Sequence, residues 1–352
     1  MKKDEDFNLY EKALKENPLH PAEECYIQIE KLINDSIIRL YNSIDNYIFQ
    51  DIDYSIVVSH MPQWVADAGI SPELSCSKDW YEKLRGNTTH PIFGRFLYHY
   101  DLWSKVAAIQ DRLSAVIMFM RQLYNIVPCK AKYDESQYTS AVRCGGEKET
   151  EAHMLLNSVF VAYASIFDII TKVAIEQFEY DKYDFSNYKK MRSSDIIYNK
   201  NLKNIDPSLK NVGMLFSEPL VIRKIETFRN EFVHNGPWDL RCSIYNTFVN
   251  EEPADIIIFS PDMDDFGNFI RSGSRNKFYS QGNRINFQLP DIINEATKIL
   301  DNTILQIATL YQNKTVDTTE TKYTEECLKA ISEYYKKAVS YTHLRAHETR
   351  GN

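Results

Sequence analysis

The chain has 352 residues, 43% of them hydrophobic and 26% charged, and a formal net charge of −8. This is the balance of a globular protein and excludes a mainly disordered one. The negative charge excludes a protein that coats nucleic acid with its whole surface, though it leaves room for a local basic site. At roughly 100–200 residues per domain, the length suits one large domain or two ordinary ones. No uninterrupted apolar run reaches the ~18 residues of a membrane helix, so no membrane partner is expected. The opening MKKDEDFNLY lacks the apolar stretch of a secretory signal. Cysteines stand at 25, 76, 129, 144, 242 and 327 with no Cys-x-x-Cys pair, which points to reduced thiols and a cytoplasmic setting.

Taken in chain order, most of the elements are helical. Residues 1–99 read as an N-terminal helical extension. Its helix, 22–47, carries the stripe Ile27, Leu32, Ile33, Ile37, Leu40 and Ile44, whereas 51–96, with Pro62, Pro72, Gly86 and Pro91, read as irregular. Residues 100–338 read as a bundle. Within it, 104–126 place Val106, Ile109, Leu113, Val116, Met120 and Leu123 on one face, and 148–178 repeat the pattern with Leu155, Val159, Ala162, Ile166, Ile170 and Val173. A helix over 218–234 has marked ends: Ser217 as N-cap, Pro219 in the first turn, then Asn235-Gly236-Pro237 as a stop. Its stripe is Val221, Ile225, Phe228 and Phe232. Three strand-like stretches, 243–249, 256–259 and 277–289, follow as a small β-hairpin or sheet inserted over about 243–289. A last helix, 290–312, buries Ile293, Ala296, Leu300, Ile304, Ile307 and Tyr311. The expected class is therefore mainly α, a helical bundle with a small β insertion.

Residues 339–349, VSYTHLRAHET, resemble one reading frame of a transposon-end sequencing adapter, and 339–352 are set aside as an artefactual tail. Setting them aside removes two arginines and one glutamate and leaves a formal charge of −9.

The helix over 218–234 ends in Arg229-Asn230-Glu231-Phe232-Val233-His234. At about 100° per residue, Arg229 and His234 lie roughly 140° apart, with Arg229 at the edge of the apolar stripe. Asn230 and His234 share the opposite face. The arginine, the asparagine after it and the histidine four residues further on resemble the Arg-x(4–6)-His motif of the HEPN superfamily. The extra N-terminal residues and the strands resemble the larger bacterial HEPN families, such as the Cthe-like branch. The resemblance implies an all-helical core and a homodimer in which two copies of this helix converge. It also implies RNA as the partner, with Arg229, His234 and Asn230 as catalytic residues and no metal or other cofactor. A toxin or anti-phage role, with an antitoxin protein as a further partner, is what such a family allows. The residue types suit the chemistry: histidine moves protons near neutrality, and arginine grips a phosphate with two parallel hydrogen bonds. The same residues also suit two other readings. One is a HEPN-type fold that binds RNA or a nucleotide without cutting. The other is a surface role, with Arg229 paired to Glu226 or Glu231 and His234 capping the helix.

Further candidates surround this motif. Asp168, inside the apolar run VFVAYASIFDIITKVAI, is placed to orient Arg229 or His234 across the bundle, or else to meet Lys172 one turn on. Arg271, Arg275, Lys277 and Arg284, beside Phe278 and Tyr279, read either as a solvated loop or as an RNA-tracking surface with stacking rings. The basic stretch Lys189, Lys190, Arg192, Lys200, Lys203 and Lys210 allows the same two readings. Arg85 and His90 repeat the Arg-x(4)-His spacing, but in a loop that fixes neither side chain. Asp262, Asp264 and Asp265 precede Gly267 as in a calcium loop, yet Phe266 stands where the fifth ligand belongs, so no metal is expected. His60, His99 and His153 read as lone histidines. There is no phosphate loop, nucleophile elbow or His-Glu-x-x-His.

Overall fold

A computed structural model of the chain describes residues 21–50, 52, 54–60, 69–70, 77–79, 81–82, 91–198, 204–239, 241–314, 329 and 332. The chain is mainly helical with a small antiparallel sheet. The adapter-like tail, the Arg85/His90 pair, Lys200 and Lys203 lie outside the described residues.

Helix α1, Pro21–Lys31, passes through a π-helical stretch at Leu32–Ile37 into α2, Ile38–Ile48. Ile29, Leu32, Ile37, Leu40 and Ile44 are buried, whereas Ile27 and Ile33 of the expected stripe are only partly so. Part of the stretch read as irregular is also helical. It contains α3, Tyr54–His60, and the start of α4, Pro91–Ile126, which is 36 residues long. Pro91 opens this helix, where its missing N–H has no partner to lose.

Strand β1, Ser140–Cys144, precedes α5, Glu147–Glu179. The helix α6, Leu220–Asn235, is followed by β2, Ile244–Val249, and β3, Glu252–Ile257. The chain then closes with α7, Ile285–Asn313. Pro290 sits inside α7 rather than at its start. The Asn286 carbonyl, which Pro290 cannot serve, instead accepts the Tyr124 hydroxyl at 3.2 Å.

The sheet has the order β1-β2-β3, so it is not confined to 243–289 as expected. β1 escaped notice because all but its last residue are exposed, which leaves no alternation to read. Residues 277–289 do not form the third strand. They make one isolated bridge, Phe259 to Arg284, and then enter α7, where Ile285, Leu289 and Ile293 bury at helical spacing. β2 and β3 meet in a two-residue turn, Asn250-Glu251, with φ of 49° and 73°. A bulge between them is closed by the Thr247 hydroxyl, which donates to the Asp255 carbonyl at 2.9 Å and accepts the Asp255 N–H at 3.0 Å. The buried Asp255 carboxylate accepts the N–H groups of Lys132 and Tyr133 and the Tyr138 hydroxyl, at 2.8 to 3.1 Å.

Two compact units result. The first comprises residues 1–37, 108–170 and 207–304, and holds the sheet and α6. Its core includes Ile109, Leu113, Val116, Met120, Val159, Phe160, Ile225, Ile293 and Leu300, all fully buried. The second comprises residues 38–107, 171–206 and 305–352. Its core gathers Tyr47, Tyr98, Tyr180 and Tyr188, and the buried Glu176 carboxylate there accepts the Ser193 N–H and the Tyr183 hydroxyl. Gly94 is needed here, because a Cβ at this position would lie 1.9 Å from the Phe185 carbonyl oxygen.

By composition, one helix, Glu147–Lys182, does contain an 18-residue window apolar enough to cross a membrane, contrary to the expectation from uninterrupted runs. Within the protein, 67% of that window is buried, and its apolar surface is spent on the core.

Candidate functional site

α6 is organised by a buried inner face. Val221, Ile222, Ile225, Phe228 and Phe232 are all covered. The Phe228 ring stacks on Phe160 at 4.5 Å, and the Trp238 ring lies 5.1 Å from Phe228 and 4.8 Å from Phe232. The C-terminal stop works as expected, with Gly236 at φ 87°. The N-terminus does not. Ser217 ends a 3₁₀ turn, Leu215–Ser217, and its hydroxyl donates to the Met214 carbonyl at 2.8 Å. Glu218 takes a left-handed conformation at φ 52°, and Pro219 occupies the N-cap position with no side-chain bond. The left-handed step re-aims the chain, so a serine two residues upstream of the N-cap is out of reach of the first-turn N–H groups.

The outer face carries the motif. Asn230 and His234 are exposed, and Arg229 is half-buried at the edge of the apolar face, as the helical angles require. The Arg229 Nη1 donates to the Asn230 Oδ1 at 2.8 Å. Arg229 is thus steadied by its neighbour and not by Glu231. Glu231 is 5% exposed, with Oε1 2.7 Å from Lys277 Nζ, while Oε2 accepts the Asn235 carboxamide at 2.9 Å. The capping alternative for His234 is not seen: among the described residues its ring makes no hydrogen bond to a helix-end carbonyl.

Asp168 is half-buried on α5.

The four basic residues of the loop divide into two pairs. Arg271 and Arg275 are exposed at a tight turn in which the Ser272 and Arg275 backbones exchange hydrogen bonds of 2.8 and 3.0 Å. Lys277 and Arg284 do not belong to that open surface. Lys277 is committed to Glu231, while Arg284 lies over the Phe287 ring and donates to the Tyr138 hydroxyl at 3.4 Å. In the other basic stretch, Lys190 pairs with Asp195 and Arg192 with Glu179.

The carboxylates of the calcium-like loop serve as backbone anchors. Asp264 accepts the N–H groups of Phe266 and Asn268, and Asp262 accepts those of Ser280 and Gln281. Burial pushes the Asp262 carboxyl up, but these bonds outweigh it and hold the group below the usual carboxylate range. Among the described residues, no three His, Cys, Asp or Glu side chains are grouped to hold a metal ion. None of the three histidines read as lone is alone: His60 Nδ1 lies 2.8 Å from the Ile56 carbonyl. His99 Nε2 lies 2.6 Å from Asp45, and buried His153 donates from Nε2 to the Ser243 carbonyl at 3.0 Å.

A cleft of about 610 Å³ opens beside the C-terminal end of α6; of its lining, the sequence singles out Lys277 and Tyr279 but not Arg143, Asp239, Arg241 or Tyr245. Arg143 on β1 and Tyr245 on β2 are direct cross-strand partners, so both side chains rise from the same face of the sheet. Arg241, in the loop after α6, and Lys277 line the same space, with Phe259 and Tyr279 as further walls. The Arg143 Nε donates to the Ser243 Oγ at 2.6 Å. Asp239 also lines the cleft, but its carboxylate already accepts the backbone N–H groups of Arg241 at 3.0 Å and Ser243 at 2.9 Å. Alternation along β1 was the only signal for Arg143, and a strand exposed at all but its last residue gives none. Comparison of this chain with known protein families, with curated proteins and with solved structures found no match.

Proposed function

We propose that the chain is a metal-independent RNA endonuclease of the HEPN kind, working in the cytoplasm as a homodimer. One observation carries this reading. The helix that buries five apolar residues on its inner face presents Asn230 and His234 to solvent, with Arg229 at the edge, its guanidinium already oriented by Asn230. On one copy these groups point outward. A second copy, related by a two-fold axis, brings two such sets into one cleft. In that cleft a histidine removes the proton from a ribose 2′-hydroxyl. The resulting oxygen attacks the adjacent phosphorus, and the 5′-oxygen departs with a proton returned by imidazolium. Arg229 stabilises the charge that grows on the phosphoryl oxygens. The products are a 2′,3′-cyclic phosphate and a 5′-hydroxyl, and DNA, which lacks the 2′-hydroxyl, is spared. Arg271 and Arg275 are the exposed cations that extend the RNA track. A toxin or anti-phage role, with an antitoxin as partner, is in keeping with such an activity.

The test is cleavage of single-stranded RNA by the full chain in the presence of a chelator. The His234→Ala variant is expected to lose roughly 100-fold or more of the rate, the scale of a lost acid–base group. Arg229→Ala is expected to lose a comparable amount. The half-buried His60, which lies outside the motif, serves when replaced by alanine as a control that keeps the rate. Undiminished cleavage in both site variants removes this site. RNA bound but left intact by all of them identifies a binding module instead.

A further inference from the structure

The cleft beside α6 combines features that together specify a ligand. Its cations come from three separate segments: Arg143 from β1, Arg241 from the loop after α6, and Lys277 from the segment before α7. Lys277 is balanced by Glu231, and Asp239, whose carboxylate is kept ionised by two backbone N–H groups, offsets one of the two arginines, so the cleft keeps a net positive charge carried by Arg143 and Arg241. Both are exposed, and Arg143 is fixed at one nitrogen by Ser243, which leaves its terminal amino groups to the cleft. The walls between them are rings. Tyr245 meets Phe259 edge-on at 5.0 Å, and Tyr279 is 44% exposed with its hydroxyl donating to the Trp238 carbonyl at 3.3 Å. Burial pushes the Tyr279 phenol up to about 12, so it stays a neutral donor and adds no negative charge. The floor is Trp238, 2% exposed, its indole N–H bonded to the Phe259 carbonyl at 3.0 Å.

The geometry points to a nucleoside-phosphate site: Arg143 and Arg241 hold the phosphate, and the base lies against Tyr245 and Tyr279. Two guanidinium forks match phosphate oxygens in pairs, and exposed tyrosine faces stack on any base. The volume lies in the range of pockets that enclose a small ligand. A bare phosphate would leave the rings unused, and an acidic peptide would leave them without a planar partner. The site does not depend on cleavage at His234, because none of its groups belongs to the Arg229–His234 set.

The ligand can be a free nucleotide or one nucleotide of a longer RNA, and the experiment distinguishes them. Titration of the full chain with a nucleoside 5′-monophosphate, followed by calorimetry, is expected to give a dissociation constant below about 1 mM. Inorganic phosphate and the bare nucleoside should each bind roughly tenfold more weakly or not at all. Arg241→Ala, a change at an exposed side chain, should weaken the nucleotide by roughly tenfold or more. Arg143→Gln should do the same, with circular dichroism confirming that the sheet persists, and His234→Ala should leave binding unchanged. A single-stranded RNA oligomer that displaces the mononucleotide identifies RNA as the source, and one that does not identifies a free nucleotide. Failure of any nucleoside monophosphate to bind, or equal binding by Arg241→Ala, overturns the assignment. Loss of cleavage in His234→Ala with nucleotide binding intact separates this result from the fate of the nuclease reading.

Discussion

At the scale of single residues, Ser243 and His153 show how a polar group is made part of a core. Ser243 joins three partners just before β2 begins: its carbonyl accepts from His153, its N–H donates to Asp239, and its hydroxyl accepts from Arg143. His153 is 1% exposed and lies edge-on to Trp238 at 6.2 Å. Burial lowers its pKa from the usual histidine value, against the raising effects of the Ser243 carbonyl and Asp239. The folded protein therefore holds this ring neutral at a pH where the unfolded chain protonates it. Its contribution to stability is complete above the unfolded value near 6.5 and falls as pH drops below it. Thermal unfolding at pH 7.5, 6.5 and 5.5 is expected to show a decline in Tm that is shallower in His153→Gln, whose carboxamide keeps the bond to Ser243. Parallel declines in the two proteins would remove His153 as the titrating group.

At the scale of elements, the β2–β3 turn places two non-glycine residues at positive φ. Two-residue hairpins favour Asn-Gly, because the second position costs any side chain about 1–2 kcal/mol. Asn250 tolerates its conformation, whereas Glu251 at φ 73° is strained and its side chain is exposed. Glu251→Gly is expected to raise stability by about 1 kcal/mol, read as a higher denaturant midpoint at unchanged slope. A lower midpoint would show that Glu251 contributes something the backbone geometry does not reveal. The absence of Asn-Gly also explains why this turn could not be read directly. The π-helical stretch between α1 and α2 leaves no trace in the periodicity, because Cys25, Ile29, Leu32, Ser36, Leu40, Ile44 and Tyr47 are buried at steps of three and four residues straight through it. Pro91 and Pro290 illustrate the remaining ambiguity, since a proline that seems to end structure can equally open a helix or be tolerated by a hydroxyl from another one.

At the scale of the whole molecule, the proposed nuclease needs two copies. A chain of 41.2 kDa that pairs through α6 should give about twice that mass by light scattering, and its cleavage rate per chain should fall on dilution below the dimer dissociation constant. A particle of one-chain mass that cleaves at an undiminished rate would rule out the composite cleft. Val233 is 51% exposed and lies between Arg229 and His234 on the helix surface, which places an apolar contact at the centre of the proposed interface.

The sequence by itself determined the long helices, the C-terminal stop of α6 and the division of that helix into a buried face and a polar one. These depend on neighbours three and four residues away, and such spacing is written directly in the chain. Only the tertiary structure decided that Lys277 neutralises Glu231, that Arg284 is drawn into packing, and that Arg143, Arg241 and Tyr245 share one cleft. Those groups are separated by up to about a hundred residues along the chain. They meet because β1 pairs with a strand on the far side of α5 and α6. Charge balance and pocket geometry are properties of that pairing, and no local pattern encodes them.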